Sequence, residues 1–161
     1  MSQPAEEIEL ESSRVSANLE DEPLDARLIR LTKTLIDLMN DRQYDDAFFS
    51  DHLSTNVYID YADITSGTGL DTFINNYRRY ADQCPEFHVG TCNPTAIVDL
   101  NPPGGGDAQA TVILSQDLTG YETEERRMSG SILMYWARRE GRWVVVSVCM
   151  MFGTPEFLPE R

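Results

Sequence analysis

From Leu24 onward the apolar residues fall into two rhythms. Leu24, Leu28, Leu31, Leu35, Leu38 and Met39 recur at steps of three and four, which predicts a helix with one apolar stripe. Pro23 and Asp25 fit its start, and Asn40-Asp41 its end. A short second helix is expected at about Tyr44–His52. A third is expected at about Leu70–Cys84, with the stripe Leu70, Phe73, Ile74, Tyr77, Tyr80 and Ala81, stopped by Pro85. Between the second and third helices, Val57–Tyr61 alternates and is rich in β-branched and aromatic residues, as strands are.

After the third helix the rhythm changes to period two. Strands are expected at Phe87–Val98, bent near Gly90 or Pro94, and at Ala108–Thr119, Met128–Arg139 and Arg142–Phe152. Asn101–Gly106 and Gly120–Glu124 read as turns, and Glu140-Gly141 as a tight hairpin. Three helices, one strand after the second and four after the third, predict an α+β layer with helices on one face of a curved, mostly antiparallel sheet. Ile132, Met134 and Trp136 alternate with Leu133, Tyr135 and Ala137, so the last hairpin is apolar on both faces. Helices would cover one face. The other is expected to meet a second subunit through Met134, Trp136, Trp143 and Val145, making a homodimer.

The first 22 residues follow neither rhythm. Met1–Glu22 holds seven acidic residues and one basic, four serines and no aromatic residue. Such a segment cannot bury enough surface to offset its ordering entropy, so an acidic disordered tail is expected at 1–22, ahead of one domain at 23–161. The tail carries −6 of the formal net charge of −14. That charge repels phosphate backbones and anionic lipid, so neither nucleic acid nor membrane is an expected partner. No apolar run approaches the length of a membrane span, and the acidic start lacks the basic and apolar parts of a secretory signal. Three cysteines without CxxC spacing suggest reduced thiols and a cytoplasmic setting rather than a disulfide framework or a metal site. No Gly-rich phosphate loop precedes a helix, and no cofactor is expected.

The order of elements resembles the NTF2-like superfamily, a cone of three N-terminal helices on a curved sheet. Local motifs are most similar to its scytalone dehydratase and SnoaL-like branch. They are Ile59-Asp60-Tyr61 at the end of the first strand, Phe87-His88-Val89-Gly90, and the hairpin Tyr135-Trp136-Ala137-Arg138-Arg139-Glu140-Gly141-Arg142-Trp143. Pro155-Glu156-Phe157 is similar to the segment after the family's last strand. The resemblance spans about Pro23–Phe157. It implies a pocket tyrosine at Tyr61 and a catalytic histidine at His88. The place of the family's second histidine is taken by Asp117, that of its strand asparagine by Ile132, and that of its Tyr-Asp pair by Met39-Asn40. The proton donor of ketosteroid isomerases falls near Tyr135.

The residues themselves leave two functions open. Proton transfer near neutral pH usually needs a histidine, and there are two. His52 reads as an exposed residue at a helix end. His88 is either a satisfied core histidine or an acid–base group. Tyr61 could donate to an oxyanion, and Asp117, if on the pocket face with Ile113 and Ser115, could orient His88. Phe73, Tyr77, Tyr80, Met150 and Phe152 are expected to line the cavity, with Asn40 and Tyr135 at the family's remaining positions. One reading is a cofactor-free lyase or isomerase, of dehydratase or cyclase type, acting on a cyclic phenolic or polyketide-like molecule of secondary metabolism. The other is a non-catalytic small-molecule-binding or dimerisation module of the same fold.

Overall fold

The computed structural model describes residues 21–61, 66–120 and 128–153, and the backbone of Arg126-Arg127 and Glu156-Phe157. All but the last two residues of the expected tail lie outside the described residues. Of those two, Glu22 pairs with Arg30 at 2.8 Å and closes onto the first helix.

Helix α1 (Leu24–Asn40) has the expected bounds. Its buried line is Leu28, Thr32, Leu35, Ile36 and Met39, whereas Leu31 and Leu38 are half-buried. The stripe is therefore rotated toward a threonine that hydropathy would leave outside. Thr32 is buried because its hydroxyl accepts the indole N–H of Trp136 at 3.2 Å, which gives the largest fully buried side chain a polar partner. Helix α2 (Ala47–His52) is shorter than expected and is capped by the Asp46 side chain, which accepts from the Phe48 amide. Helix α3 (Leu70–Gln83) buries Phe73, Tyr77 and Ala81.

The strands are β1 (Leu53–Asp60), β2 (Ser66–Thr68), β3 (His88–Asp99), β4 (Gln109–Thr119), β5 (Arg126–Arg139), β6 (Arg142–Phe152) and β7 (Glu156–Phe157). They lie in the order β2-β1-β6-β5-β4-β3, with β7 beside β5. Only β1 and β6 are parallel; every other pairing is antiparallel. β1 begins four residues before the expected strand, since Leu53 already pairs with Val145. The bend of β3 falls at Pro94, where the register slips between Cys92 and Thr95 and Asn93 turns to φ 51°. Glu140 and Gly141 both have positive φ, 51° and 78°, as a two-residue type I′ hairpin requires. At Gly120 a Cβ would stand 2.1 Å from the Glu86 carbonyl, so only glycine lets β4 end against the turn before β3.

The helices cover the inner face of this curved sheet, where Ile59, Val112, Leu114, Ile132, Met134, Trp136, Val145 and Val148 are buried. This corrects the assignment of faces in the last hairpin. Met134, Trp136 and Val145 do not form an outer patch; they are core. A bulge between Tyr135 and Trp136 pairs Tyr135 with Ser147 but Trp136 with Val145, so β6 steps past Val146 and its alternation breaks. The outer face instead presents Tyr58, Ile97, Tyr135 and Met151, each at least 38% exposed. No helix among the described residues is long and apolar enough to cross a membrane.

Candidate functional site

The interior of the cone ends in a small cavity between α3, the end of β1, and the ends of β4 and β6. Its walls, among the described residues, are Tyr61, Tyr77, Tyr80, Phe87, Leu118, Met150 and Phe152. Local sequence explains the convergence. Tyr77 and Tyr80 are three apart on one helical face, Tyr61 directly follows β1, and Met150 and Phe152 are two apart on β6. The cavity holds about 20 Å³, room for about one water.

Its polar inventory is phenolic. Tyr61 and Tyr77 meet edge to face with ring centroids 6.0 Å apart, and Tyr77 also packs against Phe87 at 6.2 Å. The Tyr77 hydroxyl reaches the Met150 sulfur at 3.7 Å. The Tyr61 hydroxyl is buried without a partner of good geometry, though Tyr77 is near enough to act on it. Burial raises the Tyr61 pKa well above that of a free phenol, and the Tyr77 hydroxyl adds to the rise. Burial likewise raises Tyr77, against a smaller opposing effect of its neighbour Tyr61. Both side chains therefore stay protonated and can donate a hydrogen bond.

Of the expected site residues, Tyr61, Tyr77, Tyr80, Met150 and Phe152 come together here; the remaining ones lie elsewhere. His88 opens β3 on the outer face, paired with Thr119, and is exposed, while its neighbour Val89 is buried inside. Asp117 is also on the outer face and accepts from Ser129 Oγ at 2.9 Å. Alternation correctly groups Asp117 with Ile113 and Ser115, but that group faces outward. A site joining His88 and Asp117 to Tyr61 is not formed. Phe73 is fully buried behind the cavity, 5.3 Å from Tyr77 between ring centroids. Tyr135 stands on the outer face. Asn40 has a structural position: its carboxamide donates to the Val89 carbonyl and accepts the Val89 amide, both at 2.9 Å. Arg42, with φ 61°, adds bonds to the carbonyls of Pro85 and Phe87, so the end of α1 is tied to the start of β3.

Phe87, Leu118 and Gln116 were not anticipated. Gln116 is 2% exposed, on the same inner face as Leu118 and two residues away. Among the described residues neither its carboxamide oxygen nor its nitrogen has a hydrogen-bond partner. It pairs with Gly130, which in turn pairs with the cavity residue Phe152. A glutamine amid Val112, Leu114 and Leu118 is a polar residue at an apolar position, and that break in the pattern is the signal that could have marked it.

No family model matches the sequence, and no curated protein does. Solved structures do. A putative scytalone dehydratase from Novosphingobium aromaticivorans is similar at 11% identity over 82% of this chain and 85% of its own, with a TM-score of 0.57. An NTF2-like protein of unknown function from Pseudomonas putida aligns at 12% identity over 78% and 84%, TM-score 0.59. A cystatin-like-fold protein of unknown function from Nostoc punctiforme aligns at 13% identity over 82% and 91%, TM-score 0.59. At such identities the likeness establishes architecture: the chain has the NTF2-like fold.

Proposed function

We propose that the chain is a small-molecule-binding domain of the NTF2-like fold, whose ligand is a flat, largely apolar ring compound carrying one oxygen acceptor. The observation that carries this reading is the cavity's chemistry. Its titratable groups, among the described residues, are tyrosines, and burial holds Tyr61 and Tyr77 in the donating form. Such groups hold a carbonyl or hydroxyl oxygen but do not take up a proton near neutral pH. Phe87, Leu118, Met150 and Phe152 supply the apolar surround, and the Gln116 carboxamide, without a partner among the described residues, is a further buried polar group two residues from Leu118. Any ligand larger than water must displace side chains, and Tyr80 and Phe152 are the half-buried members of the wall.

The second reading, a cofactor-free lyase or isomerase of the scytalone dehydratase or SnoaL-like branch, draws on the same phenols. Protonated tyrosines in a dry site can stabilise an enolate, but the reaction would need a base, and His88 is on the far face. Titration with 2-naphthol, followed through the Met150 methyl resonance, tests the binding reading. Loss of one neutral hydrogen bond in Tyr61→Phe should weaken binding about 2- to 12-fold. No Met150 shift, or equal binding by Tyr61→Phe, would sink it. Turnover of a cyclic ketone or alcohol that survives His88→Asn but not Tyr61→Phe would favour the catalytic reading.

A homodimer through the outer sheet face belongs to the same proposal. Tyr58, Ser147, Tyr135, Thr111 and Ile97 form one uncharged row across five strands. Two chains of net charge −14 can meet most readily where neither presents charge. Tyr135→Glu would set like charges against each other, and light scattering should then report the 18.2 kDa chain alone. A wild-type monomer at micromolar concentration would overturn this assembly.

A further inference from the structure

A second, much larger cleft opens at the other end of β6 from the tyrosine cavity. It lies between the first turns of α1, the end of α2 and the β5–β6 hairpin, and its volume is about 570 Å³, within the usual range for a small-molecule site. Each wall has a sequence cause. Arg27 and Leu31 are four apart on one face of α1, Asp51 and His52 end α2, and the type I′ turn delivers Arg142 and Trp143 at the start of β6. Among the described residues the cleft shares none with the tyrosine cavity.

Its charges are distinctive on a protein of net charge −14. Arg27 and Arg142 both line it, and among the described residues neither enters a salt bridge, whereas Arg30 pairs with Glu22 and Arg78 with Asp45. Trp143 and Leu31 are half-buried and give the cleft a flat apolar wall. His52 is not the solvated helix-end residue that its sequence context suggested. It packs on Phe48 with ring centroids 4.3 Å apart, and its Nδ1 is buried with no hydrogen-bond partner among the described residues. Burial first, then the nearby Arg142 and Arg30, lower its pKa against the pull of Asp51 and the Trp143 backbone. Desolvation is thus the main cause, and Asp51 is the strongest single charge acting on the ring.

We propose that this cleft is a binding site for an aromatic monocarboxylate, with the carboxylate held by Arg27 and Arg142 and the ring lying on Trp143 and Leu31. Guanidinium forks match a planar carboxylate in two-point geometry, and an indole face suits a flat ring. Asp51 at the rim tells against polyanions, because a second negative charge would meet it in a partly desolvated cleft. A phosphate ester is therefore a poorer fit than a singly charged acid.

The test is a two-dimensional ¹H–¹⁵N NMR titration of the full chain with 4-hydroxybenzoate, with inorganic phosphate as the contrast. The Trp143 indole N–H should shift progressively while that of Trp136, buried and bonded to Thr32, stays in place. Arg142→Gln and Arg27→Gln should each weaken binding about tenfold, equivalent to one charge-assisted hydrogen bond. Asp51→Asn should tighten it several-fold, a gain that misfolding cannot produce. Absence of any Trp143 shift up to about 10 mM acid, an affinity below any useful recognition, would overturn the site. So would binding of the acid by both arginine variants as tight as by the wild type, or phosphate bound as tightly as the acid. Because Met150 reports the tyrosine cavity, a shift there without one at Trp143 would overturn this site and leave the first standing.

Discussion

Gln116 is the residue whose replacement discriminates most sharply between a core built for stability and one built to receive a ligand. The residue is 2% exposed, and among the described residues its carboxamide oxygen and nitrogen are both unpaired. A buried polar group without a partner costs about 1–3 kcal/mol. Methionine is close in length and volume, has no such requirement and adapts to irregular space. Gln116→Met should therefore stabilise the ligand-free protein by about 1–3 kcal/mol. For a chain of this size each kcal/mol moves Tm by roughly 2–4 °C, so a rise of several degrees is expected. Urea denaturation with an unchanged slope would show that the folded state, not the denatured one, was altered. The same variant should bind 2-naphthol no better than the wild type and discriminate less between it and naphthalene. If Gln116→Met instead destabilises the protein by more than about 1 kcal/mol, the carboxamide is satisfied in the folded molecule and does not await a ligand.

Three further outcomes follow from the contacts described. Thr32→Val removes the acceptor of the Trp136 indole and should cost about 1–3 kcal/mol by urea denaturation, while Thr32→Ser retains the hydroxyl and should cost less. Asn40→Ala leaves the amide and carbonyl of Val89 without their partners; it should destabilise by about 2 kcal/mol or more and speed amide exchange at the start of β3. The His52 pKa is lowered in the folded state, so the folded protein binds fewer protons than the unfolded chain. The sign follows: this contribution to stability is complete above the unfolded pKa of about 6.5 and is lost as pH falls below it. His52→Gln should flatten that part of the pH–stability curve, and an unaltered curve would show that His52 is not its source.

Some features follow from local physics and were legible in the chain. The three-and-four spacing from Leu24 to Met39 can hide its apolar side only as a helix, and α1 has the expected ends. The period-two segments and the Glu140-Gly141 turn likewise determine four long strands and a type I′ hairpin, since both turn residues must take positive φ. Tyr77 and Tyr80 of α3 and Met150 and Phe152 of β6 share a side in the sequence pattern, because helical and strand periodicities each place them together, and all four line the cavity.

What periodicity cannot supply is the sign of a face. Alternation separates Gln116 from Asp117 and Val89 from His88, but both sets on this sheet contain apolar residues, so neither is marked as the interior. Tertiary packing decides it. Trp136 finds its acceptor on Thr32 across the core, and that contact helps turn Met134 and Val112 inward with it and Tyr135, Asp117 and His88 outward. The bulge at Tyr135 then shifts the alternation of β6 by one residue, which carries Val145 into the core beside Val148. A bulge inserts one residue into one strand of a pair, and its place depends on the partner's register. The cleft beside Trp143 has the same origin. Arg27, His52 and Arg142 are far apart in the chain, and only the parallel docking of β1 on β6 brings the end of α2 to the hairpin.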